Sequence, residues 1–416
     1  MGHRRQLLRS LRRSSVLFGD SLQFRIRFWD AKPARSLHAL SVSASAPGRS
    51  QRSHSNSRSI GIGWILWNHW TKAAGGPLAV LNRNAGNLSA VLKTYGEALV
   101  VEEVKEHGKL SEKEILVQVD SAGINHADVL ISRGKHHLKP SPPYVPGFEL
   151  AGEIVEIGSA VEKFRVGDRV LGLKRVGAGA FAKRCVLHED ELYPIPHSLN
   201  YETAVCLPVG YGTAFLALQE VANVEEGCTV LVVTSQGSSG FAAIDLALNV
   251  FKCQVIAATE SEEKCAVLRP TGVLCTVEYT DENLVKNVEK MTGGKGVDLV
   301  VDTVGGFWFD LALKCLKPGG GRLCSLGFSS GQIPAVSLQD LVRMRASISG
   351  VWLGGMANAK PTKFHWLIEN VVTLLDEQYI TPRVAAKYKL QDVNRALEDV
   401  DRQKHIGKVV LTLRDE

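Results

Sequence analysis

The sequence predicts an α/β protein with two parts, a doubly wound parallel sheet and a smaller domain of strongly bent antiparallel sheet. Two stretches carry that expectation. Thr229 to Val233 reads as a buried parallel strand, Thr234 to Gly240 as a tight turn, Phe241 to Val250 as a helix and Gln254 to Ala258 as a second strand, which together make one βαβ unit. Upstream, Pro143 to Gly158, Val166 to Val170 and Gly179 to Lys183 form short strand-like runs broken by Gly and Pro, the pattern of a small bent barrel.

The turn of the βαβ unit, Thr234-Ser235-Gln236-Gly237-Ser238-Ser239-Gly240, is built of small and polar residues. Such a turn lets backbone N–H groups approach a pyrophosphate, and the positive end of the following helix attracts the same anion. A dinucleotide is the expected guest of this Rossmann-type unit. Glycine turns also occur in α/β proteins that bind nothing, so the surroundings matter. Ala242, Ala243, Ile244, Ala247 and Leu248 give the helix the small or apolar face that close packing on a sheet requires, and further βα units follow.

With 416 residues, 45% of them hydrophobic, the chain is long enough for two domains with their own cores. Its net charge of +6 is unevenly spread. Residues 1–72 hold 13 Lys and Arg against Asp20 and Asp30 only, so the remainder is mildly acidic and a generic nucleic-acid-binding surface is not expected. The first segment, residues 1–87, is rich in Arg and Ser and carries amphipathic pieces such as Leu7-Leu8-Arg9-Ser10-Leu11-Arg12-Arg13. That is the composition of a mitochondrial transit peptide, and a matrix location is the corresponding expectation. A disordered basic tail is the alternative. No apolar run reaches the 18 or so residues that cross a bilayer, so no membrane span is expected.

The eight cysteines show no C-x-x-C spacing, and several fall inside strands or helices, where a thiol behaves as a small hydrophobe. Neither a disulfide framework nor a structural zinc lobe is expected.

Folded structure is expected from about Leu88, with a hairpin over Ala90–Lys93 and Leu99–Val104 and a half-buried strand at Ile115–Val119. Asn125 then follows Gly123-Ile124, and Asp128 can cap the short helix beginning there. Asn125 reads either as a turn former or as a polar group projecting into a cleft. Downstream, the residues predict strands at Val297–Thr303, Arg322–Leu326, Ala346–Trp352, Val384–Tyr388 and Gly407–Leu413, with helices at Phe309–Leu316, Thr362–Gln378 and Gln391–Arg402. Loops at the carboxyl ends of parallel strands face the ligand crevice, so Val304, Gly305, Gly327, Phe328 and Ser329 are expected to line a dinucleotide. Lys408 could reach the cleft, but the expected role is an exposed residue beside the closing strand.

Several motifs follow one another in a fixed order: Gly123-x-Asn125-x-x-Asp128, Pro146-Gly147-x-Glu149-x-x-Gly152, Gly167-Asp168-Arg169-Val170, Gly179-Ala180-Phe181 and Leu207-Pro208-Val209-x-Tyr211-Gly212-Thr213-Ala214. In these motifs the chain, from about Leu88 to its end, resembles the zinc-free quinone oxidoreductases of the medium-chain dehydrogenase/reductase superfamily. The resemblance implies a GroES-like catalytic domain over residues 88–212 and 379–416 and a Rossmann cofactor domain over 213–378. It also implies NADPH as cofactor, with NADH the lesser candidate, and a small quinone or enone as substrate. Pairing at the Ala346–Trp352 edge would give a homodimer.

Departures from the wider superfamily carry chemistry. Zinc-dependent relatives place a metal-binding Cys where this chain has Asn125 and a His where it has Phe148, so no metal is expected. Hydride addition to an electron-poor carbon then fits better than alcohol–carbonyl interconversion. Asn125 is the candidate catalytic residue, with an orienting role. Around the cofactor the resemblance implies contacts from Thr213, Ser235, Gly237, Ser238, Ser239 and Gly240. Lys264 and Tyr279 are implied at the adenosine 2′-phosphate, near Thr259 and Ser261, and Val351 and Trp352 are implied as further cofactor contacts. Glu260 opposes a 2′-phosphate, and a β-branched Thr234 in place of the first glycine of the turn weakens the dinucleotide site. Two other readings remain open: a mitochondrial 2-enoyl thioester reductase, and a non-catalytic binding protein that keeps the nucleotide fold.

Overall fold

The computed structural model describes residues 86–105, 108–174, 179–234, 237–279 and 283–414, all belonging to the unit Ala73–Glu416. The transit-type segment therefore lies outside the described residues except for its last two, and so does Ser235 of the turn. The chain enters through an antiparallel hairpin of β1 (Asn87–Val91) and β2 (Val100–Val104). Next come β3 (Glu114–Ile124), α1 (His126–Ser132), β4 (Glu149–Ile157), β5 (Arg169–Leu173), β6 (Arg184–His188) and β7 (Leu192–Pro194). A long helix, α2 (Tyr201–Val221), leads into alternating strands and helices: β8 (Thr229–Val233), α3 (Gly237–Asn249), β9 (Gln254–Thr259), α4 (Glu262–Leu268), β10 (Cys275–Glu278) and α5 (Asn283–Thr292). The alternation continues through β11 (Leu299–Asp302), α6 (Gly306–Lys314), β12 (Arg322–Ser325), α7 (Leu338–Met344), β13 (Ser347–Gly350), α8 (Leu353–Ala359) and α9 (Pro361–Asp376). Last are β14 (Val384–Lys389), α10 (Val393–Asp401) and β15 (Lys408–Thr412).

Strands β8 to β13 form one all-parallel sheet in the order β10-β9-β8-β11-β12-β13. Val230 to Val233 are fully buried, as a strand covered by helices on both faces requires. The chain leaves β8 toward β9 and β10 on one side and returns to β11, β12 and β13 on the other. The order therefore reverses between β8 and β11, and ligands of such sheets bind in the crevice at that switch point.

The second sheet runs β14-β15-β3-β4-β5-β7, with β6 added on β3. Its pairs are antiparallel except β14 with β15, which run parallel. The strand expected at Gly179–Lys183 is reduced to a single bridge between Ser89 and Ala182. Phe181 instead turns inward, and a Cβ on Gly147, whose φ is +100°, would strike its ring.

One expectation is corrected here. Helix α2 is long and apolar enough to cross a membrane, but 78% of that stretch is buried within the fold, as for a core helix. It spans the expected domain boundary at 212/213. Buried Tyr211 donates to Asp245 of α3 (2.6 Å), and Asp245 also accepts the Thr381 N–H (2.7 Å), so α2 is tied to both α3 and the returning chain. All eight cysteines are free thiols, six of them buried.

Candidate active site

The crevice at the switch point lies between the turn after β8 and the paired ends of β3 and β15. On the sheet side, Thr234 is fully buried, and its N–H donates to the Ala258 carbonyl (2.9 Å). It does not belong to the residues with positive φ. A positive φ falls on Gly237 (φ +77°), where a side chain would be strained, so the backbone at 234 accommodates a β-branched residue. Gly240 is required for a different reason. A Cβ there would collide with the Thr234 side chain, so the loss of the usual first glycine makes the last one indispensable. Gly237 is also stitched to the chain before β15. Its N–H donates to the His405 carbonyl (3.1 Å), and its carbonyl accepts the Gly407 N–H (3.2 Å). The next N–H groups, at the start of α3, belong to the helix end that has no intrahelical partners.

The opposite wall is built on a buried ion pair. Lys408 on β15 and Glu149 on β4 are 1% and 0% exposed at their side chains, and the Lys408 ammonium meets Glu149 Oε1. Lys408 Nζ also donates to Asn125 Oδ1 (2.8 Å), and Asn125 Nδ2 donates to Glu149 Oε1 (2.9 Å). Because an ammonium only donates and a carboxylate only accepts, the two partners fix which way the Asn125 amide faces. Glu149 Oε2 accepts the Val209 N–H of α2 (3.0 Å), which ties the pair to that helix. All of this passes over Gly123, where a Cβ would collide with both Glu149 and Lys408. The expectation that Lys408 is exposed is therefore wrong. Its strand is central, and the carboxylate that holds it comes from a segment far away in sequence.

Asn125 is the residue preceding α1, and Asp128 reaches back to accept its backbone N–H (2.8 Å). Burial pushes the Asp128 carboxyl up to about 7; the Asn125 N–H opposes that rise, and the negative Glu149 adds to it.

A second charged cluster sits at the end of β9. Glu260 Oε1 pairs with Lys264, which also donates to the Gln403 carbonyl. Glu260 Oε2 accepts from Tyr279 OH (3.2 Å) and Thr259 Oγ1 (3.4 Å). Ser261 caps α4 by accepting the Lys264 N–H (3.4 Å). Lys264 is thus only 13% exposed at its side chain and is not a solvated helix-face residue.

The structure brings Asn125, Gly237, Ser238, Ser239 and Gly240 together around the crevice, with Gly327, Phe328 and Ser329 across from them. Thr259, Ser261, Lys264 and Tyr279 gather around Glu260 instead. Five more expected contacts lie outside both groups. Thr213 is buried within α2. Val304 and Gly305 give their N–H groups to the buried Asp302 carboxylate (2.9 and 3.1 Å). Val351 is buried, while Trp352 is 60% exposed and packs edge-on against His137. Among residues not expected, Thr303, His126, Asp399 and His405 line the crevice. His405 Nε2 lies 3.5 Å from the Asp399 carboxylate. Both belong to the returning C-terminal chain, and nothing in their local sequence marks them.

Two family models match the chain: an alcohol dehydrogenase GroES-like domain over residues 111–197 and a zinc-binding dehydrogenase over residues 240–372. A quinone oxidoreductase-like protein 2 homolog from Nematostella vectensis is 36% identical over 320 residues, which cover 77% of this chain and 87% of that protein. The chain belongs to the medium-chain dehydrogenase/reductase superfamily. Within that superfamily it groups with the oxidoreductases of the quinone oxidoreductase family. The mouse quinone oxidoreductase-like protein 2 is 35% identical over 326 residues, covering 78% of this chain and 92% of that one. The Escherichia coli quinone oxidoreductase complexed with NADPH superposes with a TM-score of 0.72 at 25% identity, over 79% of this chain and all of that one.

The zinc implied by one family model does not fit this member of the superfamily. Asn125 and Phe148 supply no metal-binding thiolate or imidazole, and the Lys408 ammonium already holds the Asn125 oxygen that would have to face a cation. Among the described residues, no group of three or more His, Cys, Asp or Glu is arranged to hold a metal ion. A dinucleotide does fit, at the crevice lined by Gly237, Ser238, Ser239 and Gly240 where α3 opens.

Proposed function

We propose that the chain is a zinc-independent reductase of a quinone or an α,β-unsaturated carbonyl, using a nicotinamide dinucleotide with NADPH as the first candidate. The observation that carries this reading is the switch-point crevice, which sets the α3 turn opposite an Asn125 amide locked by a buried ion pair. The bound cofactor would supply the hydride. The α3 N–H groups and the Ser238 and Ser239 hydroxyls would hold its diphosphate, with Gly327 to Ser329 along the other side. One Asn125 N–H is committed to Glu149, which leaves the second to meet an acceptor oxygen, and Lys408 on the amide oxygen strengthens that donor. The protein's part is orientation and polarisation. NADPH binding in the E. coli relative supports the choice of cofactor.

Replacing Asn125 with Ala should lower kcat with a quinone by about tenfold or more, while the NADPH dissociation constant moves by less than about twofold. Turnover equal to wild type removes Asn125 from the mechanism.

The same reading includes a homodimer through the β13 side. Ile333, Leu338 and Val342, on the segment that leads into the edge strand β13, are apolar and 79%, 76% and 77% exposed. Val342→Asp should shift the sedimentation coefficient from dimer to monomer, and a wild-type monomer at micromolar concentration refutes the dimer.

A further inference from the structure

In a doubly wound sheet, the end of the strand that follows the glycine turn faces the adenosine ribose. An acid there accepts a hydrogen bond from a free 2′-hydroxyl, and a cation there binds a 2′-phosphate. This chain carries both, and they are bonded to each other. Glu260 follows β9 directly, and its carboxylate occupies Lys264 through one oxygen and Tyr279 and Thr259 through the other. The cluster is also fastened to the crevice. Lys264 donates to the carbonyl of Gln403, a residue held at φ +55°, and Gln403 Nε2 donates to the carbonyl of crevice-lining Ser329.

We propose that Glu260 is an internal competitor for the 2′-phosphate of NADPH, so that the chain discriminates little between NADPH and NADH and Glu260 sets the ratio. The proposal rests on the dinucleotide reading above. A 2′-phosphate, with up to two negative charges, reaches Lys264 only by breaking the Glu260 pair. It then sits beside the displaced carboxylate, which is only 34% exposed at its side chain and so incompletely screened. A ribose with a free 2′-hydroxyl donates to Glu260 and leaves the pair intact. NADPH therefore gains a cation and loses an ion pair, while NADH gains a hydrogen bond at no such cost.

The test is a fluorescence titration of the full chain with NADPH and NADH, for wild type, Glu260→Gln and Lys264→Ala. Gln keeps a side chain able to meet Tyr279 but carries no charge. Expected is an NADPH dissociation constant about tenfold lower in Glu260→Gln, with NADH within about twofold of wild type. In Lys264→Ala, NADPH should lose any advantage over NADH. If both nucleotides bind wild type and Glu260→Gln leaves NADPH unchanged or weaker, the competition is refuted while the dinucleotide reading stands. If neither nucleotide binds any of the three proteins at millimolar concentration, the reading and the proposal fall together.

Discussion

Two Glu–Lys pairs flank the crevice, alike in composition and opposite in setting. Glu149 and Lys408 are sealed from water at 0% and 1% exposure, and their partners, the Val209 N–H and the Asn125 amide, belong to the protein itself. Glu260 and Lys264 lie at the rim, at 34% and 13%. A sealed pair cannot exchange partners without stranding a charge in a dry interior, so it is suited to holding geometry. A rim pair is loosened by water and by competing ions, so it is suited to being displaced. Burial, and not the residue types, separates the positioning device from the selective one.

The largest effect tests the sealed pair. Glu149→Gln or Lys408→Met alone should destabilise the fold by about 3–5 kcal/mol, because each leaves the other charge buried and unpaired. The two changes together should cost clearly less than their sum in a urea-denaturation cycle. Additive losses would mean that the pair is not coupled and that the contrast between the two clusters is misdrawn. Glu260→Gln, by the same measurement, should cost less than about 1 kcal/mol, as partly screened pairs do.

A pH experiment sharpens the contrast next. Burial raises the Asp128 carboxyl to about 7, and with it the Asp302 carboxyl to about 6, the N–H groups of Val304 and Gly305 opposing the latter. Between the unfolded value of 3.8 and these folded values, the native chain holds protons that the unfolded chain has released. Their contribution to stability is therefore present in full below pH 3.8 and lost as pH rises through about 7 and about 6 respectively. Asp128→Asn should remove about one proton from that slope, read as stability at pH 5 against pH 7. An unaltered slope would show that Asp128 is ionised in the fold.

Much of the sheet was legible because its signals are local. The apolar run of β8, the small residues after it and the helix face of α3 are contiguous, and they mark the crevice without knowledge of any partner. Asn125 could be singled out because a polar residue follows a strand at a motif glycine. Lys408 could not be placed, since Lys-Val-Val-Leu reads as a strand with an exposed end, and its partner Asn125 is 283 residues away. His405 and Asp399 were missed for the same reason. Helix α2 was unreadable as a core helix because an all-round apolar helix has no face to reveal its packing. The Glu260 pair was half legible. Both residues were visible, and their opposing demands on a 2′-phosphate were read, but only the fold shows the carboxylate holding the lysine.

The seam between Gly237 and the chain at His405–Gly407 also bears on the order of synthesis. A nascent chain can pair β8 with β9 and dock α3 while the ribosome is still translating. It cannot fix the turn at Gly237 or bury Glu149 against its cation until Lys408 has emerged, since both need residues 405–408. Until then, Glu149 must remain hydrated or protonated, and the crevice has only one wall. The two walls of the crevice are thus completed together, and a chain truncated before residue 405 would retain most of its strands and lack the assembled crevice.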